Sequence, residues 1–212
     1  IKNDIKTNVE VEVLDLSDKN NALKLYKKYS NQIDLLINNA GFGDCGFFTN
    51  TDLDNELNMI DLNVVTCHIL TKLFLKEFLK KDSGQILNVA SSAAFEPGPL
   101  MATYYATKSY VYNLTMAIYE ELRRKKSNVK VSVLCPGPVN TNFNNVAGVK
   151  FNIKSLSAEY VAKYAIDQSL KNNKLIIVPG ASTKLGVFIT RFLPTKLILK
   201  ITYKIQERKN KR

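Results

Sequence analysis

The chain has 212 residues, enough for one domain with a sizeable core, and its 45% of apolar residues is the proportion of an ordinary globular protein. It carries 30 basic and 19 acidic residues, a net charge of +11, but residues 182–212 alone hold nine basic residues and one acidic residue. Because the excess belongs to this tail, the charge does not indicate nucleic-acid binding. Three widely spaced cysteines and a single histidine argue against a zinc site and a disulfide framework.

No apolar run approaches the roughly 18 residues that a membrane-spanning helix needs, and no signal peptide is visible. The expected location is therefore the cytoplasm, where the thiols would stay reduced.

Short runs rich in leucine or β-branched residues alternate with longer periodic segments, which predicts strands and helices in alternation. In chain order they are strand Val9–Leu14, helix Asn20–Tyr29, strand Ile33–Asn38, helix Leu53–Lys80, strand Gln85–Ala90, helix Tyr104–Lys126, strand Val129–Cys135, helix Ala158–Asn172 and strand Leu175–Val178. This order predicts an α/β fold in which a doubly wound parallel sheet is covered by helices on both faces. Residues 1–181 are assigned to this domain and residues 182–212 to a helical tail.

Polar residues, glycines and prolines follow four of the predicted strands, where α/β folds bind their ligands. They are Asp15, the run Asn38-Asn39-Ala40-Gly41, Ser91, and the run Pro136-Gly-Pro-Val-Asn-Thr141. The shared edge predicts a single site. The stretch Gly41–Gly46 formally matches G-x-G-x-x-G, but no helix opens at its last glycine, so a turn at the sheet edge is the preferred interpretation.

Ser91, Tyr104 and Lys108 form a combination suited to proton transfer. Lys108 stands four residues after Tyr104, on the same face of the predicted helix, and its charge would lower the tyrosine pKa from its ordinary value of about 10. Ser91 would hydrogen-bond the substrate oxygen where the proton moves. From spacing to the lysine alone, Tyr105 is also an acceptable phenol, and Ser92 neighbours Ser91.

Together these motifs resemble the short-chain dehydrogenase/reductase family over about residues 9 to 180. The resemblance implies a Rossmann-type, three-layer α/β/α fold. It selects Ser91 over Ser92 and Tyr104 over Tyr105, because Tyr104 stands thirteen residues after Ser91. It also implies that Asn63 holds a water in the proton relay. The implied catalytic residues are Asn63, Ser91, Tyr104 and Lys108.

The resemblance further implies a nicotinamide cofactor, NAD(P)(H), with NADP(H) slightly favoured, and no metal. The residues it assigns to the cofactor are Asp15 and Leu16 at the adenine, Asn39, Ala40 and Gly41 towards the adenosine ribose, Lys108 with Tyr104 at the nicotinamide ribose, and Pro136, Gly137, Val139 and Thr141 around the nicotinamide carboxamide.

The family's first two strands and the glycine-rich Thr-Gly-x-x-x-Gly-x-Gly turn between them have no counterpart in these residues. We therefore expect an amino-terminally truncated chain that lacks roughly 40 to 50 upstream residues. The sheet would lack its first two strands, so Val9–Leu14 would lose its neighbour and Ile33–Asn38 would expose an edge. Without the pyrophosphate cradle, we expect weak cofactor binding by these 212 residues.

The tail carries an apolar helical stripe that Pro194 interrupts. The stripe comprises Leu185, Phe188, Ile189, Phe192 and Leu193, and the pattern resumes at Leu197, Ile198, Ile201 and Ile205. Basic residues fill much of the remainder. Packing on a partner subunit or over the substrate cleft is the preferred interpretation, and contact with an anionic membrane surface is the alternative.

The preferred function is an oxidoreductase that moves a hydride between the cofactor and a carbonyl or alcohol substrate, with Tyr104 carrying the proton. Phe95, Pro97, Leu100 and Phe143 predict a partly apolar substrate, and the family implies a homo-oligomer. The alternatives are a non-catalytic cofactor-sensing or scaffold protein on the same fold and an epimerase or dehydratase. The catalytic set argues against the scaffold, and the about 70 residues after Thr141 leave little room for the larger substrate domain of the epimerases.

Overall fold

The computed structural model describes residues 8–143, 147 and 155–210. Its central sheet has four parallel strands, in the order β1 (Leu35–Asn38), β2 (Gln85–Val89), β3 (Lys130–Leu134) and β6 (Ile176–Ile177). In register, Leu36 of β1 pairs with Ile86 of β2, which in turn pairs with Val131 of β3. A separate parallel pair joins β4 (Val139–Asn140) to β5 (Leu156–Ser157).

The described chain has seven α-helices, which connect the strands and form the tail. They are α1 (Lys19–Tyr29), α2 (Leu53–Ile60), α3 (Cys67–Lys80), α4 (Ala102–Arg124), α5 (Ala158–Ile166), α6 (Ala181–Thr190) and α7 (Thr195–Asn210). A π-helical segment, Asp61–Thr66, joins α2 to α3, and a second, Asp167–Lys171, extends α5. A short 3-10 helix, Ser92–Phe95, follows β2.

Hydrophobic clusters cover both faces of the sheet because successive strand residues point to opposite sides. Ile86 of β2 belongs to one cluster with Leu70 and Phe74 of α3. The next strand residue, Leu87, belongs to another cluster with Val161 of α5. Helices therefore lie on both faces, and the predicted three-layer α/β/α arrangement is confirmed.

The predicted strand Val9–Leu14 is wrong, because these residues form no strand. Val13 is 92% exposed and Val11 is 68% exposed. An extended segment becomes a strand only through a ladder partner, and no described strand lies between this segment and β1. β1 is consequently an edge strand, as predicted, and its Ile37 is 42% exposed.

The other predicted elements occur with shifted ends. The predicted helix Leu53–Lys80 is divided by the π-helical segment, and the predicted helix Ala158–Asn172 is α-helical only as far as Ile166. Strands β4 and β5 were not predicted, since two residues are too few to show a hydrophobic pattern.

The tail forms two helices on either side of Pro194, but the predicted apolar face of α7 is wrong. Its described buried residues, spaced four apart, are Ile198, Thr202 and Gln206, whereas the partly exposed apolar residues include Leu197, Ile201 and Ile205. The buried face of α7 therefore contains two polar residues, Thr202 and Gln206. None of the described helices has both the length and the apolar content needed to cross a bilayer.

A polar network supports the sheet below the strand ends. The Asn38 amide donates to the Asn88 side-chain oxygen at 2.8 Å and to the Thr71 hydroxyl at 3.0 Å. The Asn88 amide in turn donates to the Thr115 hydroxyl at 2.9 Å. These buried groups satisfy one another, so they fix β1 and β2 against α3 and α4 directly beneath the residues that follow the strands.

Candidate active site

A cavity of about 610 Å³ lies beyond the carboxyl ends of β2 and β3. Its walls come from the segments that follow β1, β2 and β3, from α4 and α5, and from one residue of α7. The predicted site residues in its lining are Asn39, Gly41, Ser91, Tyr104, Lys108, Pro136, Gly137, Val139 and Thr141. The structure therefore brings nine of the predicted positions to a single cavity.

Ser91 is held at the end of β2 by local hydrogen bonds. Its backbone is extended and its hydroxyl accepts a hydrogen bond from the Ala93 N–H at 3.1 Å, which caps the 3-10 helix. The next N–H, that of Ser92, donates to the Pro136 carbonyl at 2.8 Å. These contacts join the segments after β2 and β3, and they place Ser91 on the cavity wall.

Tyr104 is buried near the start of α4, and burial raises the pKa of its phenol to about 12, although a hydrogen bond with Ser91 opposes the shift. The lowering of this pKa that is expected from Lys108 together with a bound cofactor stays a prediction. The Lys108 ammonium lies 5.9 Å from the Tyr104 ring centroid, and loss of solvent dominates. At neutral pH Tyr104 is a protonated phenol and is available as a proton donor.

Lys108 is a buried amine, only 5% exposed, one helical turn beyond Tyr104. Its Nζ donates to the Val89 carbonyl at 3.0 Å. Burial lowers the pKa of Lys108 to about 8, because the charged form loses its hydration. Gly41 gives the amine room, since a Cβ there would lie 3.3 Å from Nζ.

Asn63 lies in the π-helical segment behind the cavity and does not line it. Its amide nitrogen donates to the Phe42 carbonyl at 2.9 Å and to the Thr107 hydroxyl at 3.1 Å, and its oxygen accepts from the Phe42 N–H at 3.1 Å. The Asn63 side chain thus links the segment after β1 to α4 through hydrogen bonds. The water-relay role stays a prediction.

Asp15, Leu16 and Ala40 do not line the cavity. The Asp15 carboxylate accepts hydrogen bonds from the N–H and hydroxyl of Ser17 at 2.9 and 2.7 Å, which lowers the pKa of Asp15. The Leu16 carbonyl accepts from the Thr66 hydroxyl. The adenine and ribose roles expected for these residues stay predictions.

All the residues expected to hold the nicotinamide half of the cofactor line the cavity, together with Asn39 and Gly41. Lys108, Val139 and Thr141 all line it. Gly137 stands in the same wall, where an added Cβ would lie 2.6 Å from the Thr183 hydroxyl. The buried amine of Lys108, the nearby hydroxyls and the closely packed backbone offer hydrogen-bonding groups that fit a ribosyl amide group. The described chain contains no cluster of residues able to hold a metal ion.

The apolar lining differs from the one predicted. Of the four expected residues only Phe143 reaches the cavity, and its ring centroid lies 5.3 Å from that of Tyr104. Phe95 instead stacks edge-on against Tyr112, with 4.8 Å between ring centroids. Leu100 is buried with a φ of 66°, so it shapes the turn before α4 rather than the cavity wall.

Gly43 and Gln206 were missed as contributors to the site, and Tyr105 was considered only as an alternative phenol. Gly43 allows close packing, since a Cβ there would lie 2.8 Å from the Phe143 ring and 3.1 Å from the Tyr104 ring. Tyr105 lines the cavity and accepts a hydrogen bond from Gln206, which also lines it. The spacing of the glycines after β1 could have signalled Gly43. The apolar pattern of the tail gave no signal for Gln206.

Comparison with known proteins agrees with this geometry. The family model described as short chain dehydrogenase matches residues 1–150. An uncharacterized oxidoreductase of Staphylococcus epidermidis is 33% identical over 176 residues, which are 79% of this chain and 74% of that protein. The 17-beta-hydroxysteroid dehydrogenase 13 of Rattus norvegicus is 28% identical over 202 residues, 93% of this chain and 66% of that protein.

Solved structures show the same fold. A short chain dehydrogenase from Burkholderia cenocepacia, in complex with NADP, has a TM-score of 0.74 at 21% identity, covering 89% of this chain and 78% of that one. A short-chain dehydrogenase from Sphingobium yanoikuyae, in complex with NADPH, has a TM-score of 0.73 at 21% identity, covering 84% and 70%. These likenesses confirm the predicted Rossmann-type fold, and with the family match they establish that the chain belongs to the short-chain dehydrogenase/reductase family.

Proposed function

We propose that the protein is an NAD(P)-dependent oxidoreductase that interconverts a carbonyl compound and its alcohol, with Tyr104 as the proton carrier. The observation that carries this proposal is that Ser91, Tyr104 and Lys108 line one cavity, with the phenol and the amine both buried. Several relatives named as oxidoreductases or dehydrogenases support the same chemistry.

A bound nicotinamide would supply or accept the hydride. Lys108, Val139 and Thr141 would hold its ribosyl amide half, because they line the cavity around Gly137. Asn39 and Gly41 would lie beside the rest of the cofactor, with Asp15, Leu16 and Ala40 at its adenosine end. The preference for NADP(H) remains a proposal, since the solved neighbours include complexes with NADPH, with NADP and with NAD.

In carbonyl reduction, the neutral Tyr104 phenol would donate its proton to the developing alkoxide. Ser91 would donate a hydrogen bond to the same oxygen and stabilise its growing charge. Lys108, with a pKa of about 8, is mostly charged at neutral pH and would stabilise the phenolate that Tyr104 leaves behind. A water ordered near Asn63 would then return the proton.

The cavity lining supports a partly apolar substrate. Met101, Phe143 and Val161 contribute apolar surface to the same cavity that Ser91 and Tyr104 line. Such a lining favours a ketone or secondary alcohol on an apolar frame over a highly charged metabolite, because apolar walls do not replace the hydration of a charged group.

The remaining partner predictions concern the cytoplasmic location, the homo-oligomer and the tail. The burial of Gln206 in the cavity wall supports packing of α7 over the cleft. The apolar surface of α6 and of the turn after it supports the membrane alternative, because Leu185 and Phe188 of α6 and Phe192 of the turn are between 57% and 72% exposed. Lys184 and Arg191 flank that surface and could pair with anionic lipid.

The activity is tested by incubating the full-length protein with each oxidised cofactor and a panel of apolar secondary alcohols. We expect nicotinamide reduction to match ketone formation, measured by absorbance and by mass spectrometry. The reverse reaction should convert each ketone product to one alcohol. Cofactor binding without turnover of any alcohol or ketone would favour the cofactor-sensing alternative instead.

A further inference from the structure

Helix α7 buries a glutamine while it leaves apolar side chains partly exposed. Gln206 is 1% exposed, whereas Ile201 and Ile205 on the same helix are 41% and 39% exposed. Hydrophobic burial alone would turn the isoleucines inward and the amide outward, because an amide loses hydration when it is buried. The orientation of α7 therefore places the Gln206 amide inside for a reason other than apolar packing.

The buried amide of Gln206 is satisfied at one end only. Its nitrogen donates to the Tyr105 hydroxyl, which fixes the side chain. Its oxygen is buried, yet no described group donates a hydrogen bond to it. Such an acceptor is rare in folded proteins and costs free energy until a donor arrives. Because Gln206 lines the cavity, a ligand there that shifts this side chain and uncovers the oxygen can bring the donor.

Tyr105, the hydrogen-bond partner of this amide, is the ring neighbour of Tyr104. The Tyr104 and Tyr105 rings are perpendicular neighbours, with centroids 6.1 Å apart. Gly98 leaves room for the Tyr105 ring, because a Cβ at residue 98 would lie 2.2 Å from that ring. Burial and the charge of Glu96 raise the pKa of Tyr105, so it stays a neutral hydroxyl that can hold the Gln206 nitrogen.

We propose that Gln206 is a specificity-determining residue whose side-chain oxygen accepts a hydrogen bond from a second hydroxyl of the substrate. The inference deepens the proposed function and rests on it for the reaction at Tyr104. It names the substrate class as hydroxyketones, or the corresponding diols, on an apolar frame. A terminal carboxylate is disfavoured, because its oxygens would face the Gln206 oxygen without a donor between them.

The test uses three methyl ketones of equal chain length, ending in a methyl, a methoxy or a hydroxyl group. Their affinities for the 212-residue chain are measured by calorimetry without cofactor, because Gln206 and Tyr105 belong to the described cavity. The variants are Gln206→Leu, which removes the amide, and Thr202→Val, which alters a buried polar residue of the same helix face one turn away. Circular dichroism and melting temperature show that each variant folds.

The parent chain should bind the hydroxyketone about tenfold more tightly than the methyl or methoxy ketone, the effect of one well-formed hydrogen bond. Gln206→Leu should bring this ratio close to one, and Thr202→Val should keep it. The assignment is overturned if the parent binds the hydroxyketone and the methyl ketone equally or prefers the methoxy ketone. It is also overturned if folded Gln206→Leu keeps the parental ratio of the two affinities.

Turnover by the full-length protein with NADPH separates this inference from the proposed function. The ratio of kcat/KM for hydroxyketone over methyl ketone should follow the same pattern across parent and variants. If the binding ratio depends on Gln206 but neither ketone is reduced, the recognition site stands and the proposed reaction on these ketones fails. If both are reduced with equal kcat/KM in parent and Gln206→Leu, the reaction stands and the recognition site fails.

Discussion

The side chain of Asn63 binds both polar backbone groups of Phe42, accepting from its N–H at 3.1 Å and donating to its carbonyl at 2.9 Å. Asn63 is 2% exposed and lies in the π-helical segment, a feature that often marks functional sites. Phe42 follows Gly41 on the cavity wall. Through this pair of hydrogen bonds, the π-helical segment sets the position of the segment after β1.

Replacing Asn63 with leucine should therefore damage stability and turnover together. The change leaves two backbone groups of Phe42 without their partner, at about 1–3 kcal/mol for each one that stays buried. Misplacement of Gly41 beside Lys108 should also lower kcat by roughly 100-fold. Chemical unfolding and steady-state kinetics, taken well below the melting temperature, measure the two effects. Asn113→Leu is the control, because Asn113 is exposed and bonds only within α4. Parental kcat in Asn63→Leu would refute the positioning role.

Removing the buried charge of Lys108 should stabilise the fold while it abolishes activity. Burial lowers the pKa of Lys108 from 10.5 to about 8, so below pH 8 the folded chain must hold a charge that solvent would hold more easily. The shift corresponds to a penalty on the order of 3 kcal/mol, as an upper estimate. Lys108→Met should therefore unfold at higher denaturant concentration than the parent at neutral pH.

The pH dependence of this difference has a definite sign. Between pH 8 and 10.5 the unfolded chain binds more protons at Lys108 than the folded chain does, so this residue makes the parent more stable as the pH rises. The advantage of Lys108→Met should shrink over that range. Buried Cys67 and Cys135 have raised pKa values and act in the opposite direction in both proteins, so only the difference is diagnostic. A constant difference would contradict the lowered pKa.

The exposed apolar surface formed by α6 and the turn after it provides a test of membrane contact that leaves the cavity intact. Phe188 and Phe192 pack edge-on with centroids 5.1 Å apart, yet they are 57% and 72% exposed. If α6 meets anionic lipid, changing both to serine should reduce co-sedimentation with phosphatidylserine vesicles about tenfold or more, because two apolar anchors are lost. Tyr160→Ser removes an exposed aromatic residue of α5 and should have no effect. Equal sedimentation of all three proteins would exclude contact through this surface.

Cofactor affinity should be weak for the 212-residue chain and should depend little on the adenosine half. All the residues expected at the nicotinamide half line the cavity, whereas of those expected at the adenosine half only Asn39 and Gly41 line it and Asp15, Leu16 and Ala40 lie outside. Titration should therefore give dissociation constants for reduced nicotinamide mononucleotide and for NADPH that lie within about tenfold of each other. NADPH binding that is tight and about 1,000-fold stronger would show that the adenosine half has a well-formed site.

Sequence reasoning succeeded where a motif combines fixed spacing with a strand end. Ser91, Tyr104 and Lys108 share a cavity because Ser91 follows β2, which ends at Val89, and α4 carries the other two residues one turn apart. The hydrophobic runs of β2 and β3 are buried on both faces, so their pattern was strong enough to place them.

Sequence reasoning failed where contacts with residues distant in the chain decide the structure or the pKa. Val9–Leu14 has the composition of a strand but no ladder partner among the described residues, and the pKa of Tyr104 is raised because the phenol is buried. The burial of Gln206 was not predicted, because the apolar pattern of the tail predicts the wrong buried face of α7. These properties depend on contacts between distant segments, which local periodicity does not encode.

The central claim is that Tyr104 carries the proton, and the most direct measurement compares Tyr104→Phe with Tyr105→Phe in the full-length protein. Both changes remove one phenolic hydroxyl from neighbouring buried rings, and NADPH affinity is measured alongside to show that each cavity is intact. With a methyl ketone that lacks a second hydroxyl, Tyr104→Phe should lower kcat about 1,000-fold, while Tyr105→Phe should stay within about tenfold of the parent. Intact turnover by Tyr104→Phe, or an equal loss in both variants, would contradict the account.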